Sequence, residues 1–210
     1  MNLIFDHLSA ALVGATVMMM LLMLQMRLTG MSIEQTSTYM VKNQASNLAT
    51  WLEEDLLQIG ENMDLTKTIP FTNPVDSAGV TTTFSFFRDS LDTSVIPPDT
   101  FRIETRYELK KMGSRITGGD TLDVYRIARS FRVDGGPWKA SGGSAPALGF
   151  FKIEMLNGDA VPVADPVAAA TADPKAIRNT RVRFFMVTPF ETATTAIRRV
   201  YYGSTLLIPN

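Results

Sequence analysis

The chain contains no cysteine and a single histidine, His7, among its 210 residues. Those two shortages remove disulfides, thiolate nucleophiles and cysteine-ligated metals, and they leave little from which to build a zinc site. Phosphate-cradling motifs are missing as well. Gly118-Gly119, Gly135-Gly136 and Gly142-Gly143 stand in connections rich in Pro, Ser and Asp, with no Lys-Ser/Thr and no helical pattern behind them, so they read as turn punctuation. No Gly-x-Ser-x-Gly occurs, and a Ser-His-Asp triad would have to recruit His7 from the edge of an apolar segment. Asp120 and Asp123 lack the spaced partners of a calcium loop. These absences argue against an enzyme, a bound metal or a cofactor.

Charge is absent from one long stretch. Leu8 to Met26 holds no ionisable side chain, and its only polar residues are Ser9, Thr16 and Gln25. Nineteen residues of helix at ~1.5 Å each reach about 28 Å, close to the hydrocarbon thickness of a bilayer. The preceding MNLIFDH has no Lys or Arg, so the segment reads as a membrane-spanning helix rather than a cleaved signal. Arg27 is the one basic residue near either end, and charge does not orient the span. Met18, Met19, Met20, Met23 and Met26 suit apolar packing better than a soft-metal ligand set.

Past the apolar run, Thr29-Gly30-Met31 is expected to loosen the helix, and Ser32 with Gln35 has capping-box spacing. Val41, Ala45, Leu48, Leu52, Leu56 and Ile59 then recur every three or four residues as one apolar stripe for packing against a sheet, and Gly60 is a natural stop. Residues 2–59 therefore predict one nearly continuous helix of roughly 85 Å, apolar all round in its first half and amphipathic in its second. Glu53-Glu54-Asp55 on that helix reads as a solvated face.

From Val80 the period changes to two. In FRIETRYELK, Phe101, Ile103, Thr105, Tyr107 and Leu109 alternate with charged residues, which predicts a strand with one core face. Similar runs at Val80–Arg88, Leu122–Val133, Gly149–Leu156, Asn179–Thr188 and Ala196–Ile208 predict an antiparallel sheet with no further helix. Asn157-Gly158 signals a hairpin joining FFKIEML to DAVPV, and Ala160–Lys175 reads as an exposed loop. The resulting division is a helix over 1–60, with 1–27 as its membrane or filament-core part and 32–60 as its amphipathic part, followed by a β-rich domain over 61–210. The fold class is α+β.

Net charge is −1, yet residues 1–100 carry 4 basic and 11 acidic side chains while residues 101–210 carry 16 and 10. Arg178, Arg181, Arg183, Arg198 and Arg199 raise the question of DNA binding, but Arg181 and Arg183 sit at strand spacing, which a solvated face or a protein interface explains better.

A hydrophobic N-terminal helix entered by one carboxylate, Asp6, continuing into an amphipathic helix and then a β-rich domain, resembles the type IV pilin and pseudopilin superfamily. The order of FFKIEMLNGDAVPV, a loop, IRNTRVRFFMVTPFE and IRRVYYGSTLLIPN is similar to the layout of larger minor pilins and J-type pseudopilins. The resemblance implies a pilin-like fold and a subunit of a helical homopolymer, held in the membrane before assembly, delivered by a pilus assembly machinery, and extracellular afterwards. It implies that Met1, Asp6, Leu8, Met19, Met20, Leu22 and Met26 take part in assembly, with Asp6 in the place of the family's glutamate and pairing with the amine of Met1 in the next subunit. A carboxylate at the helix N-terminus and headgroup level, favoured by the helix dipole, is the other reading of Asp6. A single-pass anchor for a β-rich binding or pilus-tip domain is the other reading of the chain.

Overall fold

The computed structural model describes residues 2–94, 99–117, 120–188 and 199–208. Helix α1 runs unbroken over Asn2–Leu56, 55 residues or about 82 Å at ~1.5 Å per residue. Strands β1 (Val75–Ser77), β2 (Val80–Asp92), β3 (Asp99–Thr117), β4 (Asp120–Val133), β5 (Lys139–Gly143) and β6 (Leu148–Leu156) follow, then α2 (Pro166–Ala172), β7 (Asn179–Val187) and β8 (Arg199–Leu207). All pairings are antiparallel, in the order β1-β2-β3-β4-β6-β7-β8, with β5 beside β4. The architecture is α+β.

The sheet has a weak seam and a strong curl. One register pair, Tyr125 with Leu148, joins β4 to β6. Although β3 and β4 separate them in strand order, β6 meets both β2 and β1: the Ile153 N–H donates to Thr81 Oγ1 of β2 at 3.1 Å, and Lys152 pairs with Asp76 of β1 at 2.9 Å. The amphipathic half of α1 fills the inner face. Val41, Ala45, Leu48, Leu52, Leu56 and Ile59 are all buried, in one cluster with Phe84, Phe86, Tyr107, Ile127, Phe151 and Phe184. Each buried Val, Leu or Ile of the stripe contributes at most about 1.5–3 kcal/mol.

Several expectations are corrected. Gly30 does not interrupt α1, and Ser32 and Gln35 cap nothing: nothing lies within 4 Å of a Cβ added at Gly30, and a lone glycine lowers helix stability by only about 1 kcal/mol. Regular helix stops at Leu56, and Gly60, at φ +76, sits in the turn beyond and donates its N–H to Phe87 O at 2.9 Å. A Cβ there would lie 2.9 Å from Leu65 Cδ2, a flexible side-chain end that can give way, so it is the backbone conformation that calls for glycine.

The hairpin after Leu156 shrinks to a single bridge, Leu156 with Pro162. Pro162 has no N–H to extend a ladder, and the Asn157 side chain instead accepts from the N–H groups of Asp159 and Val161. β6 pairs with β7 instead. Within the expected loop, PVAAATA forms α2, with Asp165 Oδ1 accepting from the Ala168 N–H at 2.9 Å, Pro166 in the first turn, and Pro166 and Ala170 buried. The short strands β1 and β5 are additional to the periodic runs, and residues 196–198 of the last run lie outside the described residues.

Candidate functional site

The N-terminal half of α1 lies beyond the sheet. Between Ile4 and Met31 the least exposed large apolar side chain is Val17, at 50%. Leu8, Met19, Met20, Leu22 and Met26 are all exposed, as is Asp6, while Met1 lies outside the described residues. Consecutive helical residues are about 100° apart, so Met18, Met19 and Met20 alone put thioethers around more than half of the rod. The result is apolar on every side, far larger than the patches that monomers in water carry. By length and composition α1 is sufficient to cross a membrane.

Hydroxyl groups in this half are turned inward onto the helix. Ser9 donates to Asp6 O at 2.9 Å, Thr16 to Leu12 O at 2.8 Å and Thr29 to Gln25 O at 2.9 Å. These are all the hydroxyl side chains from Leu8 to Gly30. Each is satisfied without water, as an apolar medium requires.

The C-terminal half is fastened to the sheet by polar side chains of its last turns. Asp55, expected on a solvated face, is buried: the Tyr107 hydroxyl donates to its Oδ2 at 2.7 Å, and Arg129 donates to Oδ2 through Nε at 2.6 Å and to Oδ1 through Nη2 at 2.9 Å. The remaining Arg129 nitrogen, Nη1, donates to Ser141 Oγ at 2.6 Å. One carboxylate of α1 thus ties together β3, β4 and β5. Burial pushes the Tyr107 hydroxyl well above the ordinary tyrosine range, helped by the charge of Asp55. Trp51 meets Tyr107 edge to face, centroids 5.7 Å apart. Glu53 accepts from the Tyr202 hydroxyl on β8, whose titration is raised by burial and then by that bond.

Asp55 was missed because Glu53-Glu54-Asp55 reads as three equal charges. The signal was its place in the apolar stripe, between Leu52 and Leu56, four residues from both Trp51 and Ile59 and seven, two helical turns, from Leu48. The cluster is closed, since the Asp55 oxygens and three Arg129 nitrogens are satisfied by one another, Tyr107 and Ser141; its chemistry is attachment. On the outer face Arg181 and Arg183 share Glu154, each at 2.8 Å, and Arg178 donates to Lys175 O, while Arg198 lies outside the described residues. Among the described residues no three His, Asp or Glu side chains gather as metal ligands. Comparison with known protein families, with curated proteins and with solved structures finds no match for this chain.

Proposed function

We propose that the chain is a structural subunit of a type IV pilus-like extracellular filament, polymerising through the N-terminal half of α1. One observation carries this reading: a single unbroken helix is uncovered and apolar on all sides in one half and locked into a β core in the other. In the membrane the first half is solvated by lipid; in the filament the same surface packs against other copies, with the pilin-like β domains outside. Head-to-tail repetition of one contact gives an open helical polymer. Asp6 then sets register by pairing with the terminal amine of the next subunit, because a carboxylate in an apolar core is costly without a partner. The acidic first hundred residues and the basic remainder give neighbouring copies opposite surfaces, an effect screened by salt. The role requires no catalysis.

The test is electron microscopy of material sheared from the cell surface, with mass spectrometry of the fibres. Thin fibres containing this chain are expected, and Asp6→Ala is expected to abolish them while the β domain stays folded. Recovery of the chain only from detergent-extracted membrane, as a monomer or small complex, refutes the polymer. That outcome supports the second reading, a single-pass anchor for a β-rich binding or tip domain, which the match between Leu8–Met26 and one bilayer thickness favours.

A further inference from the structure

The outward face of β3 and β4 carries charges that the fold leaves unbalanced. Glu104 stands opposite Arg132 and accepts from its Nε at 2.5 Å. Farther along the same ladder the matching ends: Arg106 faces Ser130, Glu108 faces Ala128, and Lys110 faces Arg126. Two cations directly opposite one another repel. Glu108 is shared by Arg106 at 2.8 Å and Lys110 at 3.6 Å, and Arg126 has no ion pair among the described residues. One carboxylate therefore answers three cations.

These side chains line a groove of about 510 Å³. Trp138 forms one wall, its ring centroid 4.0 Å from Arg106 Cζ and 4.6 Å from Arg132 Cζ, so the indole holds both guanidiniums by cation–π attraction. Arg106 Nε is shielded from solvent and has no hydrogen-bond acceptor. An incoming anion therefore meets the exposed part of this guanidinium, whose side chain is 29% exposed, and not Nε. The floor is Ala128, Ser130, Gly142 and Gly143, which leaves room for more than an ion.

We propose that this groove binds a tetrahedral oxyanion, a phosphate or sulfate group, between Arg106, Lys110 and Arg126. Three cations against one carboxylate match a dianion, and guanidinium groups bind such oxygens through paired N–H donors. The anion also relieves the Lys110–Arg126 repulsion, so the site and its ligand stabilise one another. The room above the floor suits an ester carrying a sugar-sized group. This inference is independent of the filament reading.

The experiment is calorimetric titration of the full chain in non-ionic detergent at low salt with inorganic phosphate, glucose 6-phosphate and glucose, each paired with a thermal melt. Saturable binding of both phosphates and none of glucose is expected, with a raised melting temperature. A higher affinity for glucose 6-phosphate assigns the floor to the sugar; equal affinity assigns the site to the oxyanion alone, and both support it. Arg126→Thr keeps a good strand former and is expected to weaken phosphate about tenfold. In phosphate-free buffer it is expected to melt no lower than the wild type, because the repulsion is gone. Lys110→Thr gives the same pair of readouts should Arg126→Thr fail to fold. Absence of saturable heat overturns the proposal. So does a phosphate-induced rise in melting temperature that is equal in wild type and both variants, since general salting-out produces that result.

Discussion

Replacing Arg129 with methionine leaves the Asp55 carboxylate in place with its positive partner gone. The Asp55 side chain is 8% exposed and that of Arg129 20%, so little water is available to take over. Removing one partner of a buried pair costs about 3–5 kcal/mol, mostly from the charge left behind. Against a total stability of about 5–15 kcal/mol that is a large fraction, and it corresponds to a fall in melting temperature of roughly 6–20 °C. Replacing both charges behaves differently. Asp55→Leu with Arg129→Met removes the stranded charge but leaves the Tyr107 hydroxyl buried without its acceptor, at about 1–3 kcal/mol. Adding Tyr107→Phe removes that deficit, and the triple variant is expected within about 1 kcal/mol of wild type. Near-ultraviolet circular dichroism and tryptophan fluorescence of the full chain in detergent follow the transition, because Trp51, one of the two tryptophans, lies against Tyr107. Arg129→Met melting within a few degrees of wild type, or a triple variant as unstable as the single, refutes the view that the carboxylate's charge is what the cluster must satisfy.

Two other expectations follow from local geometry. A Cβ at Gly149 would lie 2.2 Å from Phe185 Cε2, and that ring is held between Phe150, stacked at 6.0 Å, and Tyr201 at 5.3 Å. Gly149→Ala is expected to lower stability by about 1–3 kcal/mol in denaturant unfolding, and to add no further loss in a Phe185→Ala background; an equal loss in both backgrounds shows that the ring is not the obstacle. The second concerns pH. The folded state raises the Tyr107 pKa above its ordinary 10.0, so the protonated hydroxyl is the form that folding favours. The contribution of this group is constant below pH 10 and falls above it as the unfolded chain ionises first, by up to about 1.4 kcal/mol per pH unit. Tyr107→Phe is expected to shallow that decline in urea midpoints taken across this range. A residual slope remains from Tyr125 and Tyr202, both also raised by burial. An unchanged slope in Tyr107→Phe contradicts the assignment.

The long helix and the main strands were legible because each follows one strong period: 3.6 in Val41 to Ile59, two in Phe101 to Leu109. Other features depend on relations between distant residues. Asp55 looks like its neighbours in sequence and differs only because Arg129 and Tyr107 stand 74 and 52 residues away. Gly30 reads as a break, but with strong helix formers on both sides one glycine is outvoted. β5, with the sequence KASGG, has too little side chain to show a period and forms because β4 offers a free edge. The α2 segment was legible in principle, as Asp-Pro before an alanine-rich run, and was hidden by its poverty in large apolar residues.

The way α1 is fixed decides how the molecule answers a mechanical pull. The helix is held to several strands at once, by Asp55 to β3 and β4, by Glu53 to β8, and by a stripe extending from Val41 to Leu56. Tension along the helix axis therefore strains these attachments side by side, in shear, and they must yield together. Tension that lifts one end of the helix peels them in succession. The same contacts make the domain tough along its length and soft across it, and the seam at Tyr125–Leu148 marks where the sheet parts once the helix is withdrawn.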